Sequence, residues 1–309
     1  MPALVWWLMI HSYSPPGQLA SILKLKQREV QKLYQTPQAQ TANGEWALRL
    51  GYAANTASYK LQRAIGFKSS DIAIVGDYKR SAQGQKLGQV ELVAKNLKLA
   101  RAVEESYQLG LSAIMVNIDQ SIYGGSPDDL IESRQRVDRL IEAKGCALPI
   151  IAKDCIIDPI QIARAASLGA DAVLLIVAAA AVEFPSLLDT CTLLGIEALV
   201  EVHTSDEAQL AADCGASMFL VNERDRASGK LVRNQALAIA PAIPPEATCL
   251  ACGGFETAQQ VMDVRSAGYD GIVLGRALPG QRGRNLVSEI SAERSPPRLV
   301  EPISVGVGD

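Results

Sequence analysis

The most regular feature of the chain is a glycine placed three residues before the opening of a short apolar run. It occurs at Gly110-LSAIMV, Gly169-ADAVLL, Gly195-IEALVE, Gly215-ASMFLV and Gly268-YDGIVL. An amphipathic helix that ends on a left-handed position, cheap for glycine, and then enters a strand buried on both faces produces this unit. The runs IAIV at 72–75, PIIAK at 149–153 and TCLA at 248–251 bring the predicted strands to eight, starting near 72, 113, 149, 172, 198, 218, 248 and 271. Intervals of roughly 20 to 40 residues leave room for one crossover helix between each pair. This alternation predicts an α/β (β/α)8 TIM barrel. Spacing alone also fits a doubly wound open sheet.

Two helix starts are marked by a capping oxygen followed by proline, Ser126-Pro127 and Asp158-Pro159, each just after a strand. The amphipathic stretch LASILKLKQREVQKLY predicts an extra leading helix that covers the barrel's bottom or its mouth. The expected organisation is an N-terminal extension 1–17, a single barrel domain 18–292 with its leading helix, and a C-terminal tail 293–309. The opening MPALVWWLMIH is apolar but lacks a basic leader region and is too short to span a bilayer, so docking onto the barrel is expected of it.

Composition changes this picture little. The chain has 309 residues, 48% hydrophobic, 20% charged and 5% aromatic, the profile of an aliphatic-cored enzyme. A net charge of -3 with scattered lysines and arginines gives no basic stripe for nucleic acid. Six cysteines in a chain of this size, without an evident export signal, point to a reduced compartment. Cys249-x-x-Cys252 has the spacing of a redox or metal pair, but no second pair or histidine cluster accompanies it, and neither metal nor organic cofactor is expected.

In a barrel, polar residues just past the carboxyl ends of the strands face one common mouth. That rule selects Asp77 and Lys79 after strand one, Lys153 ending strand three, Glu201 in strand five, Asn222 and Arg224 at strand six, Gly253 and Gly254 after strand seven, and Gly275 with Arg276 after strand eight. Lysines, carboxylates, an amide and a guanidinium converging on an apolar-walled mouth shift one another's proton affinities, as acid/base catalysis requires. The glycines suit close approach of backbone N–H groups to a phosphate. His203, two residues beyond Glu201, reads as a helix-capping or packing residue.

The stretch LPIIAKDCIIDPIQIARAASLGADAVLLIVAA at 148–179, then LGIEALVEVHTSDEAQL at 194–210, with SILKLKQREVQKL, YGGSPDDL and AGYDGIVLGRAL in order, resembles the indole-3-glycerol-phosphate synthase family. The resemblance implies a cytoplasmic or plastid carbon–carbon lyase of tryptophan biosynthesis. It would close the indole ring of 1-(2-carboxyphenylamino)-1-deoxyribulose 5-phosphate, with loss of carbon dioxide and water. It also implies residue roles. Lys153 is the general acid, Glu201 with Asp77 handles proton removal and dehydration, Lys79 holds the phosphate and carboxylate end, and Asn222 and Arg224 orient hydroxyl and carboxylate groups.

The sequence departs from the family in substrate-gripping loops. Asp77 stands where the family has glutamate; Ala82-Gln83-Gly84, Cys252-Gly253-Gly254 and Gly275-Arg276-Ala277 replace serine-containing triplets. Ile122 and Tyr123 would give the aromatic ring a different wall. Arg276 would replace a lost phosphate contact, or else point into solvent. These departures leave two further readings: a diverged paralogue that binds a phosphorylated metabolite or a partner without this reaction, and a barrel enzyme acting on another sugar phosphate.

Overall fold

The computed structural model describes residues 18–41, 44–51, 59–66, 69, 71–83, 90–121, 123–145, 147–225, 229–276, 278 and 280–292. The expected extension 1–17 and tail 293–309 lie outside them, as do Gly84, Ile122 and Ala277. Eight parallel strands form the barrel: β1 (Ala73–Tyr78), β2 (Ala113–Asn117), β3 (Ile150–Lys153), β4 (Ala172–Ile176), β5 (Glu197–Val202), β6 (Met218–Asn222), β7 (Thr248–Cys252) and β8 (Gly271–Leu274). Each pairs with its neighbours in sequence, and β1 closes the ring on β8, with Ala73 opposite Gly271. Closure removes the open-sheet alternative. Each strand begins within one residue of the position its apolar run predicted.

The two-residue repeat of a strand assigns its side chains to two layers. Ala73 and Val75, Ala113 and Met115, Ile151, Ala172 and Leu174, Leu199, Met218 and Leu220, Leu250 and Val273 fill the barrel interior. The alternate positions, such as Ile74, Ile114, Val173, Val200, Phe219 and Ile272, pack outward against the helices. Continuing the inward series to the carboxyl end of each strand reaches Asp77, Asn117, Lys153, Ile176, Glu201, Asn222, Cys252 and Gly275. One inward position per strand therefore forms the floor of the mouth.

The Cys249-x-x-Cys252 spacing is resolved by the same repeat. A separation of three puts the two residues on opposite faces of β7, with Cys249 in the outer layer and Cys252 over the mouth. Neither predicted helix start is displaced. Ser126 accepts from the Asp129 amide, and Asp129 reaches back to the Ser126 amide; Asp158 accepts from the Ile160 amide.

The leading helix, Gln18–Tyr34, lies over the mouth. Its apolar stripe Leu19, Ile22 and Val30 is interrupted by Lys26, which is 1% exposed. The Lys26 ammonium meets Asp119 beyond β2 and Asp154 beyond β3, each at 2.5 Å. The bottom is closed by a second helix, Lys60–Ile65. Its Leu61 and Gln62 amides donate to the Glu197 carboxylate at the inward start of β5, at 2.7 and 2.9 Å. Between β1 and the next helix, Ser81–Gln83 and Val90–Leu92 form a small antiparallel hairpin beside the mouth.

Candidate active site

The mouth holds a cavity of about 700 Å³, lined by Asp77, Lys79, Lys153, Asn222, Arg224, Gly253, Gly254, Gly275 and Arg276 among others. That volume suits a small organic ligand. The structure thus brings every predicted site residue except Glu201 to the cavity surface. Glu201 is fully buried just behind it, in contact with Asn222.

The centre is Asp77. Its Oδ2 accepts from Lys79 Nζ at 2.5 Å and from Lys153 Nζ at 3.1 Å, and its Oδ1 accepts from Asn117 Nδ2 at 2.8 Å. Asn117 also donates to the Tyr78 carbonyl at 2.9 Å. Burial alone would raise the Asp77 carboxyl pKa, but the charges of Lys153 and Lys79, with the hydrogen bonds from Lys79 and Asn117, hold it well below its ordinary value.

The two lysines shift in opposite directions. For Lys79, burial lowers the pKa; the charge of Lys153 adds to this, and Asp77 opposes without cancelling it. For Lys153, burial is outweighed by the nearby charges of Asp77 and Glu201, and the pKa rises. The arrangement therefore secures the proton on Lys153 and loosens the one on Lys79. Lys153 Nζ also lies 5.8 Å from the centre of the Tyr123 ring, within cation–π range.

Glu201 Oε1 accepts from Asn222 Nδ2 at 3.0 Å, and Asn222 Oδ1 accepts from the Arg224 amide at 3.0 Å. Arg224 Nη1 donates to the Gly229 carbonyl at 2.6 Å, so its guanidinium is partly committed to its own loop. Cys252, absent from the predicted site, lies on the cavity floor. Burial first, with the negative charge of Asp77 adding, pushes its thiol pKa up to about 11 against the pull of Lys153, so it stays neutral near pH 7. Asn117 was also missed. Its only sequence signal is its inward parity with Ala113 and Met115.

Two glycines have a packing reason beyond backbone exposure to a ligand. At Gly253, φ is +137° and a Cβ would come within 2.7 Å of Glu223 Cβ; at Gly275 a Cβ would come within 3.2 Å of Lys79 Nζ and 3.3 Å of Asp77 Oδ2. Arg276 lines the cavity and pairs with Glu91 of the hairpin at 3.2 Å. Of the two roles expected of His203, helix capping or packing, its side chain does not supply the cap, and the residue is buried. Thr204 is the cap, and the His203 backbone amide donates to Glu207 in the same turn. The imidazole faces Glu201 instead, with Nε2 at 3.2 Å from Oε1.

Fold and site together define a (β/α)8-barrel enzyme whose acid/base groups converge above the carboxyl ends of the strands. The chain matches the family profile described as indole-3-glycerol phosphate synthase over residues 19–290. It is similar to the protein named indole-3-glycerol phosphate synthase from Mycolicibacterium vanbaalenii, 35% identical over 73% of this chain and 78% of that one. Its counterpart from Leptospira interrogans is 36% identical over 58% of this chain and 66% of that one. The chain belongs to the indole-3-glycerol phosphate synthase family, and with it to the carbon–carbon lyases of tryptophan biosynthesis.

Solved structures share the fold at low identity. The thiamine phosphate pyrophosphorylase of Pyrococcus furiosus has a TM-score of 0.51 at 15% identity, covering 72% of this chain and 95% of that one. A 3-hexulose-6-phosphate synthase also reaches 0.51, at 14% identity, covering 72% and 99%.

Proposed function

We propose that the chain closes the indole ring of 1-(2-carboxyphenylamino)-1-deoxyribulose 5-phosphate, with the residues of the mouth in the following roles. The Lys153 ammonium donates to the ketone oxygen as the carboxylate-bearing ring carbon attacks the ketone carbon, and that oxygen becomes a hydroxyl. Its raised pKa keeps it protonated before substrate arrives, and the developing alkoxide is basic enough to take the proton. Carbon dioxide then leaves with its bonding electrons returned to the ring. Loss of the hydroxyl as water and of a proton from the neighbouring carbon completes the indole.

Glu201, fully buried and hydrogen-bonded by Asn222, takes that proton. Lys79, whose proton is loosened by burial and by Lys153, serves the departing hydroxyl and the substrate's anionic end, while Asp77 keeps both lysines in register. Arg224 and Arg276 flank the phosphate, with N–H groups of Gly253, Gly254 and Gly275 nearby. The substrate is a small phosphorylated anion, the site calls for neither metal nor organic cofactor, and the proposed location is the cytoplasm or a plastid stroma.

The observation that carries this reading is the shared Asp77 oxygen between two lysines whose pKa values shift in opposite directions, with the buried Glu201 two strands beyond Lys153 around the ring. Purified protein given the substrate develops indole fluorescence on this reading. A second reading, a phosphorylated-metabolite binder without turnover, draws on Ala82 and Gly253 standing at the cavity without hydroxyls. It predicts thermal stabilisation by ribulose phosphate and no fluorescence change.

A further inference from the structure

His203 is one of only two histidines in the chain and lies two residues beyond Glu201, on the same face by the strand repeat. It is 8% exposed and Glu201 is 0% exposed. Each ring nitrogen faces a carboxylate: Nε2 is 3.2 Å from Glu201 Oε1, and Nδ1 is 3.5 Å from Glu207 Oε2. Glu207 is itself fixed. Its Oε2 accepts from the His203 amide at 2.6 Å, and its own amide donates to Thr204 Oγ1 at 3.1 Å in the first turn of helix Ser205–Asp213.

The charged groups facing the ring are therefore Glu201 from β5 and Glu207 from that helix. The third packed element, helix Gln235–Ile239, meets the residue through the uncharged Gln235 amide, which donates to the His203 carbonyl. Turning the ring about its Cβ–Cγ bond would carry Nε2 away from Glu201 and Nδ1 away from Glu207. A glutamate has three side-chain torsions, and holding Oε1 between Asn222 and the buried imidazole restricts that freedom.

We propose that His203, braced by Glu207, is the positioning residue that fixes the Glu201 carboxylate for proton transfer. This rests on Glu201 being the acid/base group of the site. The brace is absent from the cavity lining, so it acts through Glu201 and leaves substrate affinity alone.

Three variants and one spectrum test it. His203→Ala lowers kcat about 10- to 100-fold with KM nearly unchanged, the cost of a misplaced catalytic group. His203→Gln, whose side-chain N–H reaches the Nε2 position, restores most of that loss, and Glu207→Gln, which keeps an acceptor for the His203 amide, loses a smaller part. In ring ¹⁵N spectra, Glu207→Gln moves the Nδ1 signal and Glu201→Gln moves Nε2; with one other histidine, the signals are assignable by a His11 variant. The proposal is overturned if His203→Ala retains wild-type kcat, if His203→Gln is as impaired as His203→Ala while both melt like wild type, or if neither ring signal moves. Absence of turnover in the wild-type protein would refute the proposed reaction instead, and the ring signals alone would then decide the brace.

Discussion

Lys79 and Lys153 direct their ammonium groups to one and the same oxygen, Oδ2 of Asp77, at 2.5 and 3.1 Å. Two positive charges around a single buried oxygen repel each other, and the repulsion is resolved unequally: Lys153, also near Glu201, holds its proton more firmly, and Lys79 less so. Asp77 raises both pKa values, so the difference in acid strength comes from burial and the Lys153 charge acting on Lys79 and from Glu201 acting on Lys153.

Asp77→Asn removes the counter-charge and leaves two facing ammonium groups. Breaking a buried pair in this way costs about 3–5 kcal/mol of folding stability at pH 7. Because the folded-state pKa of Asp77 is depressed, its contribution is present above the ordinary carboxylate value of 3.8 and is lost as pH falls below it. Urea unfolding should therefore separate wild type from the variant at pH 7, with the gap narrowing below about pH 4.

Asn117→Leu keeps the size of the side chain and removes both of its donated bonds, to Asp77 Oδ1 and to the Tyr78 carbonyl. A stability loss of about 1–3 kcal/mol is expected, together with a fall in kcat as Asp77 gains freedom between the lysines. Thermal melts and steady-state kinetics on the same preparation check both halves.

Lys26→Met leaves Asp119 and Asp154 beneath the leading helix without their shared cation. The expected cost is again about 3–5 kcal/mol at pH 7. Burial, only partly offset by Lys26, already raises the Asp154 pKa, so folding favours its neutral form. The cost of its charge is felt above the ordinary value and is relieved as pH falls. The variant should regain part of its stability as pH falls from 7 toward the ordinary carboxylate value of 3.8, measured by chemical denaturation.

Arg276 and Glu91 predict a competition. If the substrate phosphate takes the guanidinium that Glu91 holds at 3.2 Å, Arg276→Ala raises KM about tenfold or more, the worth of a charged hydrogen bond. Glu91→Gln should lower KM, and kcat should change little in either variant. Initial-rate kinetics across substrate concentration distinguish this from an arginine directed to solvent.

The strands were legible because each glycine-plus-run unit carries a helix end and a doubly buried strand in one stretch of sequence. The two layers were legible in principle, since strand parity alone leads from Ala113 through Met115 to Asn117, yet Asn117 reads as the end of an apolar run. The side of the barrel covered by the leading helix was not legible from its period. It is decided by Lys26, a charge on the apolar stripe whose partners lie about 90 and 130 residues away. The sequence left His203 between capping and packing, because its ring neighbours depend on how Glu207 folds back one turn later. Gly253 and Gly275 were found for their exposure at the mouth, but their crowding by Glu223, Lys79 and Asp77 needs coordinates.

The central claim is tested most directly by indole fluorescence on mixing purified protein with 1-(2-carboxyphenylamino)-1-deoxyribulose 5-phosphate, wild type beside Lys153→Ala and Glu201→Gln. The prediction is a steady rise for wild type and rates lower by about a hundredfold or more in both variants, each still folded. A wild-type trace that stays flat at millimolar substrate, or a Lys153→Ala variant as fast as wild type, would contradict it.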